Sequence, residues 1–206
     1  CRHTLHRILA ARRRHAPSSA AHPINYSRFP GRTINITQRP KLTQKPELKV
    51  VGFEAPFIHA LSPDATNFEV IGPLWDRFIQ SVERVPNRAG GEIYGVIYAR
   101  PENERSHPGE LQYMAGVAVH RASELPDGMV SHTVAADTFA VLTHNGPINT
   151  IGNTCREIYR EWLPQSDYEH AGISDVEMYD ERFDCERDDS VMEYWVSVKP
   201  KALDHH

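Results

Sequence analysis

From Glu47 onward the apolar residues switch between two spacings. LKVVGFEAPF is a dense strand-like run, and after a polar loop Phe68, Ile71, Trp75, Phe78, Ile79 and Val82 recur at helical intervals. The second spacing predicts a helix, opened by the capping box Thr66-Asn67-Phe68-Glu69 and stopped near Pro86. NRAGG then supplies a turn, and EIYGVIYA and LQYMAGVAVH read as strands on either side of the polar loop RPENERSHPGE. The order is strand, helix, strand, strand.

The same order returns at an offset of about 80 residues. MVSHTVAADTFAVLTHNG is β-rich, and a helix begins near Ile148 with Ile151, Cys155, Ile158 and Trp162 on one stripe, ended by Pro164. DVEMYDERF and MEYWVSV close the unit. Two β-α-β-β units joined edge to edge predict an α+β fold: one antiparallel sheet, two helices on one face, and a ligand cleft between the halves.

Charge divides the chain unevenly. Residues 1–46 carry ten Arg or Lys and no acid, whereas residues 47–206 carry thirteen against twenty-seven acids. The first stretch, rich in Pro, Ser and Arg, reads as a flexible basic tail; the other readings are an arm for an anionic surface or nucleic acid, and an organellar transit peptide. The chain opens on Cys1 rather than Met, so the natural start need not lie here. The globular part spans residues 47–200, with a short C-terminal tail at 201–206. Its negative field disfavours DNA and favours cationic ligands.

No run approaches the roughly 18 apolar residues of a membrane span, so a soluble, cytoplasmic protein is expected. Cys1, Cys155 and Cys185 form no CxxC pair, which argues against a disulfide framework. The twelve histidines include no HExxH, and nucleotide and hydrolase loops such as GxGxxG, GxxxxGK[ST] and GxSxG are missing. No metal and no cofactor are expected.

The stretch GISDVEMYDERFD sets Val176 and Met178 against Glu177 and Tyr179. In a strand the apolar pair meets a core, and the Glu and Tyr share the other face, which is either water or a site. With the helices covering the aliphatic side, Glu177 is expected on the face they leave open. Tyr94, Tyr98, Tyr113, Tyr179, Tyr194 and Trp195 are enough rings to line a pocket around one carboxylate, which is how an organic cation is held. Ordinary enrichment of Tyr and Trp in strands accounts equally well for any one of them.

The duplicated order, the opening KVVGFEAPF, the VEMYDERFD element and the closing VMEYWVSVKP resemble the gyrase-inhibitor-like (GyrI-like) small-molecule-binding domain, which also serves as the effector-binding domain of AraC-type and MerR-type regulators. The resemblance covers roughly residues 47–200. It implies a Glu in the penultimate strand, with Tyr two positions later, at the bottom of an aromatic cleft between the halves; Glu177 and Tyr179 match. The implied activity is stand-alone binding of hydrophobic cationic compounds, with Glu177, Tyr179, Tyr94, Tyr98, Tyr113, Trp75 and Trp195 as the candidate binding set and no DNA contact by the domain itself. Two alternatives stand beside it: a hydrolase of electrophilic genotoxins using Glu177 and Tyr179, and a module acting through a protein partner. One departure concerns the lip of the cleft, where Ser197 replaces the usual proline and Pro200 follows later.

Overall fold

A computed structural model describes residues 39–185 and 187–202. The arm and transit-peptide readings fall on residues 1–38, outside the described residues. The elements in chain order are β1 (Lys41–Lys45), β2 (Leu48–Ile58), α1 (Asn67–Ile79), β3 (Arg88–Ala99), β4 (Glu110–Val119), β5 (Val130–Val134) and β6 (Asp137–Asn145). A second helical segment follows: α2 (Ile151–Arg156), a π-helical stretch (Glu157–Trp162) and α3 (Leu163–Gln165). Strands β7 (Tyr168–His170), β8 (Asp175–Tyr179) and β9 (Val191–Pro200) complete the chain.

The strands form one antiparallel sheet in the order β1-β6-β9-β8-β3-β4-β2-β5, with β7 also paired to β9. The duplication is visible in it: β2, β3 and β4 form one half, β6, β8 and β9 the other, and the halves meet at β3 and β8. Each half lends an outer strand to the other. β1 precedes β2 but pairs with β6, and β5 precedes β6 but pairs with β2. Only Pro46 and Glu47 join β1 to β2, and only Ala135 and Ala136 join β5 to β6. Two-residue connectors reach no more than about 10 Å. The two edges of the sheet therefore come together, and it curls into a half-barrel.

One face of the sheet closes on Val50, Val96, Met114, Phe139, Val176 and Trp195, while the other packs Phe53, Phe57, Ile93 and Val196 against Trp75 and Phe78 of α1 and Ile158 of the second helical segment. Burial of this size is the main source of stability.

Several local expectations change. The first helix does start after Thr66, yet the Thr66 hydroxyl makes no cap: it accepts the N–H of Ile58 at 2.9 Å, satisfying the last residue of β2. Phe68 is exposed, and Leu74 joins Trp75, Phe78 and Ile79 in the core. The second helical segment runs unbroken from Ile151 and stops at Gln165, one residue past Pro164, where Ser166 turns extended. Lys41–Lys45, counted above with the tail, is a strand, and β7 is a strand that the apolar pattern did not announce.

Candidate functional site

Cross-strand partners share a face of a sheet, so the pairing registers define a row across the helix-covered side: Phe53, Ala115, Gly95, Glu177, Tyr194 and Leu142. Glu177 thus lies beneath the helices, not on the open face expected from the sequence. Its Oε2 accepts hydrogen bonds from Tyr113 at 2.5 Å and Tyr179 at 2.8 Å, and the Trp75 indole N–H donates to the Tyr113 hydroxyl at 2.9 Å. Trp75 also stands edge-on to Tyr179, with ring centroids 5.5 Å apart. The carboxyl is sealed in. Burial pushes its pKa above the usual carboxylate range, against the pull of the two phenols. The Tyr113 and Tyr179 hydroxyls are held well above their ordinary range, first by burial and then by the carboxyl beside them.

Gly95 makes this arrangement possible. A Cβ there would stand 2.2 Å from the Tyr113 hydroxyl and 2.5 Å from Glu177 Oε2. Close approach, not backbone freedom, is the reason for the glycine.

Two residues earlier on the same face, Asp175 occupies a different setting. At this point the neighbour of β9 changes: Trp195 pairs with Val176 of β8, whereas Val198 pairs with His170 of β7. The Ser197 N–H is left without a ladder partner and donates to Asp175 Oδ1 at 3.0 Å. His170 Nε2 meets the same oxygen at 3.0 Å, and the Tyr159 hydroxyl donates to Oδ2. Beside the carboxylate opens a cavity of about 530 Å³, walled by Leu61, Ile97, Leu111, Tyr159 and Ile173, with His59, His170 and Asp175 as its polar groups. It lies where the seam strands β3 and β8 end.

The model of the GyrI-like small molecule binding domain matches residues 38–199. This chain belongs to that family. The GyrI-like chain is 32% identical over 144 residues to "Transcriptional regulator BrlR" of Pseudomonas aeruginosa, a match covering 69% of this chain and 48% of that protein. It therefore spans about half the length of that curated relative. Among solved structures it is similar to SAV2435 bound to tetraphenylphosphonium (TM-score 0.62, 18% identity, 82% of this chain and 98% of that one). It is also similar to the EcmrR C-terminal domain (TM-score 0.56, 13% identity, 79% and 98%). At these identities the structural likeness establishes the shared fold.

Of the sequence-derived set, Glu177, Tyr179, Tyr113 and Trp75 come together, but as a buried network that forms no part of the cavity wall. Tyr94 and Trp195 lie on the other face, edge to face with centroids 6.3 Å apart, and Lys45 sits over the Trp195 ring at 3.7 Å. Tyr98 shares the parity of Tyr94; it stacks on His132 at 3.8 Å, hydrogen-bonds Glu54, and reaches the cavity at its rim. Ser197, the departure at the lip, is fully buried and holds Asp175 through its backbone. Sequence reasoning missed Asp175, Tyr159, His170 and His59. Two signals pointed to them: Asp175 has the parity of Glu177, and Tyr159 follows Cys155 by one helical turn.

Among the described residues no three His, Cys, Asp or Glu side chains gather as a metal site, and no helix is long and apolar enough to cross a membrane.

Proposed function

We propose that this GyrI-like domain binds hydrophobic organic cations in the seam cavity, as the ligand-sensing or sequestering module of a cytoplasmic system. The observation that carries the reading is a cavity of about 530 Å³ whose wall is apolar and aromatic, holds a buried carboxylate, and contains no Lys or Arg. Apolar walls supply dispersion and desolvation, the Tyr159 ring offers cation–π contact, and the carboxylate selects for charge. The tetraphenylphosphonium carried by the similar SAV2435 structure is a ligand of this chemical class. Glu177, to which the family resemblance gives the anionic role, lies two residues further along β8, bonded to the Tyr113 hydroxyl and outside the cavity wall.

The test is a fluorescence titration with two rigid aromatic dyes of similar shape, one with a fixed positive charge and one neutral. The cationic dye is expected to bind more tightly. Leu111→Trp, which fills the cavity from its wall, should abolish both signals. Unchanged binding in a folded Leu111→Trp variant would move the site elsewhere.

A further inference from the structure

The carboxylate nearest the cavity has an unusual set of partners. Asp175 is 6% exposed, and the three groups that hydrogen-bond it are donors: the Ser197 N–H, the Tyr159 hydroxyl and His170 Nε2. The histidine is the only one of these that can carry charge. Its other nitrogen, Nδ1, accepts the Gly172 N–H at 3.0 Å, which assigns the ring proton of the neutral tautomer to Nε2. With His170 neutral, Asp175 is hydrogen-bonded on both oxygens, yet among the described residues no Lys or Arg pairs with it. A buried charge satisfied by neutral donors alone still favours an opposite charge brought to it in a low-dielectric setting.

Resting on the reading of the cavity as a cation site, we propose that Asp175 is the carboxylate that receives the ligand's positive charge and that His170 governs it: neutral imidazole leaves the charge to the ligand, and imidazolium takes the ligand's place. The geometry carries both halves of this. Asp175 and His170 both line the cavity and touch each other at 3.0 Å, whereas Glu177 is bonded to the Tyr113 hydroxyl and has no place in the wall. Protonating His170 adds a hydrogen at Nδ1, which must break the Gly172 N–H contact while pairing the ring with Asp175. The hydrogen bond to Asp175 holds the His170 pKa above its ordinary 6.5, against the opposing effect of burial.

The other titratable groups facing this pair are His59 from the loop after β2, Cys155 from α2, whose thiol burial pushes up to about 12, Tyr159 from the π-helical stretch, Tyr194 from β9, and Glu177 further along β8. His59 is displaced the opposite way, its pKa lowered by burial despite the pull of Asp175. It therefore gains its proton at more acid pH than His170 does. The two phenols are held well above their ordinary range, chiefly by burial.

The experiment measures affinity for the fixed-charge dye and its neutral counterpart from pH 5.5 to 8.5, in wild type, Asp175→Asn, His170→Gln, and a Glu177→Gln background. The dye itself does not titrate, so any pH dependence belongs to the protein. Wild type should bind the cation at least ten-fold more weakly at the acid end, with neutral-dye affinity constant within about two-fold. His170→Gln should flatten the cation profile at its high-pH level, and Glu177→Gln should leave the slope in place. Asp175→Asn keeps an oxygen for the Ser197 N–H and should cost at least ten-fold for the cation at pH 8 and little for the neutral dye. If Asp175→Asn does not fold, the His170→Gln and Glu177→Gln arms decide. A flat wild-type profile, a slope that survives His170→Gln, or a folded Asp175→Asn protein with wild-type cation affinity overturns the proposal. Cavity binding that is still lost in Leu111→Trp would then leave the broader function standing. Absence of dye binding in wild type overturns both.

Discussion

The two halves of the sheet share a backbone plan and differ at the seam. β3 and β8 run side by side, and their register sets Gly95 against Glu177 and Ile97 against Asp175. One half thus brings two carboxyls, and the other brings space at Gly95 and hydroxyl and indole donors from Tyr113 and Trp75. Carboxylates on both strands would face each other at the roughly 5 Å of a cross-strand pair, where buried like charges repel. Duplication supplied the frame. Divergence between the copies supplied the chemistry, so neither half holds a site by itself.

The sharpest way to break this division is to fill the space. In Gly95→Ala the new methyl would stand 2.2 Å from the Tyr113 hydroxyl and 2.5 Å from Glu177 Oε2, so the network must open or the strands must shift. Overpacking of this kind costs roughly 2–3 kcal/mol. For a domain of this size that lowers Tm by roughly 5–10 °C. Tyr113→Phe added to it removes the nearest of the three clashing atoms, so the double variant should be more stable than the sum of the single effects. A Gly95→Ala protein that melts with wild type would show that the glycine has no such duty.

Removing the charge instead of the space gives a smaller effect, with a pH signature. Burial raises the Glu177 pKa above its ordinary 4.5. The protonated form is therefore the one that the fold prefers. Its contribution is fully present below pH 4.5 and is lost as pH rises through the folded-state pKa. Both phenols donate to the same oxygen, so Gln can keep both bonds by placing its carbonyl there. At pH 8 Glu177→Gln should be more stable by on the order of 1 kcal/mol, and urea midpoints of the two proteins should converge toward pH 4. A gap that does not change with pH would mean that Glu177 is not a buried titrating acid.

Much of the frame was legible because period-two and period-3.6 patterns report burial directly. LKVVGFEAPF and the Trp75, Phe78, Ile79 stripe fall where the pattern placed them, in β2 and α1. The swapped outer strands were not legible. KLTQK in β1 and YEH in β7 are polar, and what makes them strands is a partner far away in sequence, β6 or β9. Within the site, parity along β8 united Glu177 with Tyr179 and would equally have included Asp175. Which face lies under a helix is a tertiary fact, and for that reason Glu177 was expected in the open and Tyr94 and Trp195 beside it. His170 escaped because its role depends on the change of partner along β9, which no local pattern records.

The least disturbance should come from the rings on the far face. Tyr94 packs with Trp195 within the curl of the sheet, on the side opposite the helices and the cavity, and burial pushes its phenol up to about 12, with Glu92 and Glu193 adding to the shift. Tyr94→Phe keeps the ring and its contact and removes only a hydroxyl that forms no part of the cavity wall. Stability should change by less than about 0.5 kcal/mol, and affinity for the cationic dye should stay within about two-fold. The comparison gives this small number its value, because the same residue was a candidate contact when only the sequence was considered. A ten-fold loss of cation affinity in Tyr94→Phe, with the fold intact, would place the ligand inside the curl and transfer the site from the helix-covered face to the other.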